Sequence, residues 1–174
     1  MTIQRVHHTG IIVADLERSI AFYHDVLGLD FANEPSPVFD DAALGRGVGV
    51  PGAALRQVTL QAGDHQLELL EYLAPSSPID APMPQNALGS HHVAFHVDDI
   101  DARVCELEAK GVRFLSDVNV VDEGVLAGWR WVYFTDPDGI TLELVEVAYT
   151  RDEERHARIA EYLADRADRP AASR

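Results

Sequence analysis

Two histidines and two glutamates occupy matching places in a chain whose second half repeats its first. Val6-His7-His8-Thr9-Gly10 is answered by Ser90-His91-His92-Val93-Ala94, and Gln66-Leu67-Glu68-Leu69 by Thr141-Leu142-Glu143-Leu144. Imidazole nitrogen and carboxylate oxygen are both ligands for divalent cations, and a mixed set of two of each suits a six-coordinate ion with positions left for substrate. His8, Glu68, His92 and Glu143 are therefore the candidate ligands, and nickel, cobalt, manganese, zinc and iron all match such a set. A single strand histidine is ordinarily a packed or surface residue. Four candidate ligands at repeat positions carry more weight. A carboxylate in such a site can also move a proton, which makes Glu143 and Glu68 the candidate catalytic bases.

These side chains need rigid elements to hold them. A strand is expected over Arg5–Val13, ending at Asp15, which is placed to cap a helix with Leu16, Ile20, Tyr23 and Leu27 on one stripe and Gly28 as its stop. Asp99, then Ile100, Val104 and Leu107, and then Gly111 repeat that pattern. The offset from Leu16 to Ile100 equals that from His8 to His92. Short second strands are expected at Leu29–Phe31 and Val112–Leu115. Leu55–Gln61 and Gln66–Tyr72 read as the next two strands. Trp129–Thr135 and Ile140–Val147 play the same parts in the second half, turned by Asp136-Pro137-Asp138-Gly139.

The order is strand-helix-strand-strand-strand, twice. Residues 1–73 form the first module, 74–89 a proline-bearing linker and 90–149 the second module. Residues 150–174 are expected to supply a charged terminal helix, with Ile159, Tyr162 and Leu163 on its apolar side, and a disordered tail beyond Asp168. Residues 32–54 read as a long glycine- and proline-bearing loop placed to cover a cleft.

At 174 residues the chain can bury one core shared by two small modules. No apolar run reaches the ~20 residues of a membrane span, and no secretory leader is visible, so no membrane association is expected. Cys105 stands alone, which removes an internal disulfide, fits a cytoplasmic setting and marks the residue as a small helix filler. The net charge is −15, and acids and bases balance within residues 150–174, so the whole excess sits on the body. That sign argues against nucleic acid, whose affinity comes from Lys and Arg on phosphates, and would attract a cationic ligand. Arg46, Arg56 and Arg130 remain to serve an anionic substrate group.

The chain resembles the vicinal oxygen chelate superfamily, which includes glyoxalase I, methylmalonyl-CoA epimerase, extradiol dioxygenases and bleomycin-resistance proteins. The resemblance runs over about residues 3–147. It is carried by His8-Thr9-Gly10, by Asp15-Leu16-Glu17-Arg18-Ser19 leading to Phe22-Tyr23, and by Leu27-Gly28-Leu29. His92-Val93-Ala94-Phe95 and Asp136-Pro137-Asp138-Gly139 before Leu142-Glu143-Leu144 complete it. It implies an α+β fold of two tandem βαβββ modules whose mixed sheet forms a U around a metal cleft, and commonly a homodimer.

By the same resemblance, Glu68 at the fourth ligand position points to proton transfer beside a chelated carbonyl, as in lyases and isomerases acting on a small molecule or thioester. The rival iron dioxygenase would use His8, His92 and Glu143 alone. The other rival is a non-catalytic protein that sequesters an antibiotic. His96, Arg130 and Trp131 are the candidate substrate contacts, and the strand face shared by Trp129, Trp131 and Tyr133 reads equally as core or cleft wall. Two departures stand out. Ile12 and Tyr72 occupy the places of glyoxalase I's glutathione-anchoring Arg and Asn, and Gly52 that of the epimerase's additional catalytic Glu.

Overall fold

The computed structural model describes residues 2–77, 79, 81–147 and 152–167. The opening strand β1 (His8–Ile12) leads into α1 (Leu16–Ile20), whose N-cap is Asp15 in extended conformation. The Asp15 carboxylate accepts from the Arg18 amide at 2.9 Å, a cap worth about 1 kcal/mol. The helix continues through wider π-type turns over Ala21–Val26 and stops at Gly28, where φ of +76° suits glycine. Leu16, Tyr23 and Leu27 are buried and Ile20 packs beside them, as the apolar stripe requires.

β2 (Asp30–Phe31), α2 (Ala42–Gly47), β3 (Ala54–Ala62) and β4 (His65–Ala74) complete the first module in the sheet order β1-β4-β3-β2. The second module repeats it. β5 (Val93–His96), α3 (Ile100–Ala109), β6 (Asn119–Val120), β7 (Arg130–Thr135) and β8 (Thr141–Glu146) form the sheet β5-β8-β7-β6. Asp99 caps α3 through the Ala102 amide at 2.9 Å. In both sheets the first strand lies parallel to the last, and it remains an edge strand.

Two expectations change. The second strand of module two is Asn119–Val120; within the expected Val112–Leu115, Phe114 makes only an isolated bridge to Phe134. Residues 32–54 contain α2, capped by Asp41. Their first part runs along β3, with Ala32 N bonded to Thr59 O at 2.9 Å, Ser36 N to Gln57 O at 2.8 Å and Phe39 bridging Leu55. Backbone bonding along β3 makes this segment a continuation of the sheet edge instead of a free loop. The eight strands form two four-stranded mixed sheets, one per module, as the tandem βαβββ plan implies.

The helix-bearing sides of the two sheets share one core, in which Leu16, Tyr23, Leu60 and Leu67 of module one meet Ile100, Leu107, Phe134 and Leu142 of module two. Polar links close the seam. Ala14 N donates to Asp138 at 2.9 Å, Arg18 pairs with the same carboxylate, and Arg103 donates to Leu27 O at 2.6 Å. Cys105 is free and exposed. α4 (Asp152–Ala167) forms, with Ile159, Tyr162 and Leu163 about half exposed. The tail expected beyond Asp168 lies outside the described residues. Among the described residues no helix is long and apolar enough to cross a membrane.

The deepest polar contact across the seam joins Tyr23 to Asp136, hydroxyl to carboxylate at 3.1 Å, with both residues buried. Asp136 also accepts from the Asp138 and Ile140 amides at 2.9 and 2.8 Å, which shapes the turn before β8. Burial outweighs these three donors and holds the Asp136 carboxyl above the ordinary carboxylate range; burial and the carboxylate together push the Tyr23 hydroxyl up. The folded chain thus keeps the Asp136 proton to higher pH than the unfolded chain does. That stability is complete below about 3.9, the free Asp value, and is lost as pH rises through the raised folded value.

Asp136→Asn is expected to remove this slope, read as a flatter dependence of urea-unfolding free energy on pH between acid and neutral. Tyr23→Phe is expected to cost about 1–3 kcal/mol by stripping a donor from a buried carboxylate. It should also abolish the part of the alkaline stability loss that sets in above about pH 10, where an unfolded tyrosine ionises.

Candidate metal centre in two halves

Alternation along the strands decides which side chains leave the core. On β1, Ile11 is buried, so His8, Gly10 and Ile12 take the opposite face. On β4, Leu67 and Leu69 are buried and Glu68 points away with His8. Parallel pairing of the two strands sets Gly10 beside Glu68 and brings His8 Nε2 to 3.6 Å from Glu68 Oε2. Module two repeats the construction. Leu142 and Leu144 are buried, Glu143 faces outward beside Ala94, and His92 Nε2 lies 2.9 Å from Glu143 Oε2.

The four expected ligands are thus brought together as two His–Glu pairs. The pairs themselves do not converge: among the described residues of one chain, no three His, Cys, Asp or Glu side chains are grouped to hold a metal. The donor chemistry still fits a divalent cation. Each pair offers a nitrogen and an oxygen close together with both side chains partly open, His8 and Glu68 at 45% and 28% exposed, His92 and Glu143 at 38% and 13%.

Small residues keep one flank of each carboxylate open. A Cβ at Gly10 would lie 3.4 Å from Leu70 Cδ1 and 3.9 Å from Glu68 Oε2, and Ala94 holds the matching place beside Glu143. The other flank differs between the halves. Thr59 stands opposite Glu68, whereas Tyr133 stands opposite Glu143. The Tyr133 ring lies 5.1 Å from that of His92 and 5.0 Å from that of Trp131. These aromatic walls make Glu143 the less solvated carboxylate. Burial raises its pKa above the ordinary value, and the His92 imidazole opposes that rise. A carboxylate raised in this way is a stronger base than a free one. Burial, and then the charge of Glu143, likewise raise the Tyr133 hydroxyl.

The candidate substrate contacts divide. Trp131 joins the face that carries Glu143, since Val132 and Phe134 on the same strand are buried in the core. His96 is exposed at the end of β5, on the face that carries His92. Arg130 turns to the helix side, where its guanidinium meets both oxygens of Asp101 at 2.7 and 2.8 Å and Glu146 at 3.4 Å. Arg56 is held in the same manner by Glu71 at 2.6 Å and Glu17 at 3.1 Å. Gly52 sits in the turn before β3 with φ of +75°, and β3 itself contains no acid.

His7 lies against His8, with ring nitrogens 2.9 Å apart, and His24 donates to Leu29 O at 2.7 Å. A polar row on module one, Gln57, Thr59, Gln61 and Gln66, was not read from the sequence as part of the site. Its signal was available in the strict alternation of Gln57, Thr59 and Gln61 with the buried Val58 and Leu60.

The chain matches the model of the Glyoxalase/Bleomycin resistance protein/Dioxygenase superfamily over residues 5–144. It is 38% identical over 149 residues to a 2-epi-5-epi-valiolone epimerase from Actinomyces sp., an alignment covering 82% of this chain and 79% of the relative. It is 36% identical over 114 residues to the mitochondrial methylmalonyl-CoA epimerase of Mus musculus, covering 65% of this chain and 57% of that protein. Among solved structures, a glyoxalase family protein from Bacillus cereus superposes with a TM-score of 0.70 at 26% identity, covering 84% of this chain and 96% of that one. The matched family model spans both histidine–glutamate pairs and both sheets, and on that ground the chain belongs to the glyoxalase, bleomycin resistance protein and dioxygenase superfamily.

Proposed function

We propose that this protein is a metal-dependent isomerase of the epimerase type, which removes and returns a proton at the carbon beside a substrate carbonyl. The observation that carries this reading is the twin His–Glu arrangement, with Glu143 partly buried and its basicity raised between His92 and Tyr133. Two relatives that bear the name epimerase support the class. A divalent cation held by His8, Glu68, His92 and Glu143 would polarise the carbonyl and make the neighbouring C–H more acidic.

The remaining work falls to the chain itself. Glu143 takes the proton, leaving the electron pair to delocalise into the carbonyl, and Glu68 or Glu143 returns a proton to the same carbon. Return to the opposite face inverts that centre, and the reaction is redox-neutral. Gly10 and Ala94 leave the space beside the carboxylates that a substrate carbon needs, and Tyr133 stands across from Glu143 on the neighbouring strand.

The full ligand set requires the two halves to meet, and the reading therefore includes a homodimer. His8 and His92 both lie on edge strands with one side unpaired. Edge strands are natural docking surfaces. Placing β1 of one copy beside β5 of another would bring a His8–Glu68 pair and a His92–Glu143 pair to a common cleft. Two such clefts form in a two-fold dimer.

Elemental analysis of wild-type protein is expected to find about one divalent ion per chain, sharply reduced in Glu68→Ala. Unchanged metal in that variant would favour the three-ligand dioxygenase arrangement. Glu143→Gln is expected to lower solvent-deuterium incorporation beside a ketone by about 10²–10⁴-fold, a larger loss than its loss of metal. Equal losses would reduce Glu143 to a ligand.

Co-expression of Glu68→Ala and Glu143→Ala chains tests the shared site. Each variant alone should be depleted, while the mixture should recover metal to about a quarter of wild type, because half the dimers are mixed and each holds one intact cleft. No recovery would place the complete site within a single chain.

A further inference from the structure

The two halves of the site were built on one plan, yet their walls have opposite chemistry. Position by position around the carboxylates, Thr59 opposite Glu68 corresponds to Tyr133 opposite Glu143. Gln57, paired with Leu70, corresponds to Trp131, paired with Val145. The next pair out is Gln61 with Gln66 in the first half and Thr135 with Thr141 in the second. The first wall is therefore a ladder of amides and hydroxyls, whereas the second sets an aromatic pair beside Glu143 with two threonines beyond it.

The ladder is already organised. Thr59 Oγ1 donates to Gln57 Oε1 at 3.3 Å, and Gln66 Nε2 donates to Gln61 Oε1 at 3.1 Å. Gln57 and Gln66 retain donor and acceptor capacity beyond these bonds, while Gln61, whose amide donates to Gly63 O at 2.5 Å and His65 O at 3.1 Å, retains acceptor capacity alone. On the other wall, Trp131 and Tyr133 are half-buried and in mutual contact, 5.0 Å between centroids, and they present an apolar surface next to His92.

Charge narrows the ligand further. None of the positions on these two faces, from β1, β3 and β4 on one side to β5, β7 and β8 on the other, is Lys or Arg. Arg56 and Arg130 belong to the same strands but are turned to the helix side and neutralised by two carboxylates each. A phosphate-bearing carrier would find no cation on these walls.

We infer that the ligand of this site is a neutral, polyhydroxylated cyclic ketone, its ring face resting on Trp131 and Tyr133 and its hydroxyls bonded by Gln57, Thr59, Gln61 and Gln66. A ring with equatorial hydroxyls has that dual character, because axial C–H bonds leave its faces apolar while its rim is polar. A site built to bond hydroxyls also rejects an analogue without them, since its own amides are left unpaired. This inference rests on the proposed cleft in which the two halves face one another.

Isothermal titration of metal-loaded protein with 2-keto-myo-inositol, cyclohexanone and methylmalonyl-CoA tests it. The polyhydroxylated ketone should bind at least about tenfold more tightly than either other probe, and Gln57→Leu and Gln61→Leu should each weaken it by about tenfold without affecting cyclohexanone. Trp131→Ala should weaken both ketones. Tighter binding of the thioester, or equal binding of the two ketones, would overturn the assignment, as would failure of all three probes to bind.

Solvent-deuterium incorporation, followed by NMR in the same samples, separates this inference from the reaction. Selective binding of the polyhydroxylated ketone without exchange would sustain the ligand class and overturn proton transfer. Exchange on the thioester alone would sustain proton transfer and overturn the ligand class.

Discussion

Parallel contact between the first and last strand of each module is the constraint on which the rest of this structure depends. It places Gly10 beside Glu68 and Ala94 beside Glu143, and so delivers an imidazole to a carboxylate twice. Strand alternation then separates two tasks. Ile11, Leu67 and Leu69, like Leu142 and Leu144, face the shared core, while their neighbours in sequence face outward as potential ligands. A shift of one residue in either pairing would bury a histidine or a glutamate and expose a leucine, which is why core packing protects the geometry of the site.

The parallel arrangement also has a topological consequence. Because the connection from the first strand to the last runs through a helix and two further strands, β1 and β5 each keep one unpaired edge. The core draws the helix-bearing sides of the modules together and is reinforced by the buried Tyr23–Asp136 contact and by Asp138 bonding to Ala14 and Arg18. Satisfaction of the core therefore leaves the ligand-bearing faces open. On the proposed reading, folding of the single chain and completion of a metal site between two copies would be separate events.

Near-symmetry in the backbone coexists with asymmetry in the side chains. The repeat preserves what the fold requires: aspartate caps, glycine stops, apolar stripes and the His–Glu pairs. It diverges where a ligand would touch. Thr59 and Gln57 on one wall against Tyr133 and Trp131 on the other give equivalent carboxylates different solvation, and burial raises the basicity of Glu143. One plan thus yields two carboxylates in different surroundings.

Much of this was legible in the residues themselves. The strand-helix-strand-strand-strand order, the capping roles of Asp15 and Asp99, the stops at Gly28 and Gly111 and the placing of one histidine and one glutamate in each module all follow from local periodicity and internal repetition. Other features depended on contacts between distant segments. Arg130 was a candidate substrate contact until Asp101 and Glu146 were seen to hold it on the helix side. Residues 32–39 read as loop because their partner, β3, lies some twenty residues on, and backbone bonds to Thr59 and Gln57 carry no side-chain signature. The division of the ligands into two pairs was equally invisible, since a repeat specifies what each module contains but not which faces of the modules meet. That choice belongs to tertiary packing, where burying the helix-bearing sides together leaves each His–Glu pair on an open face.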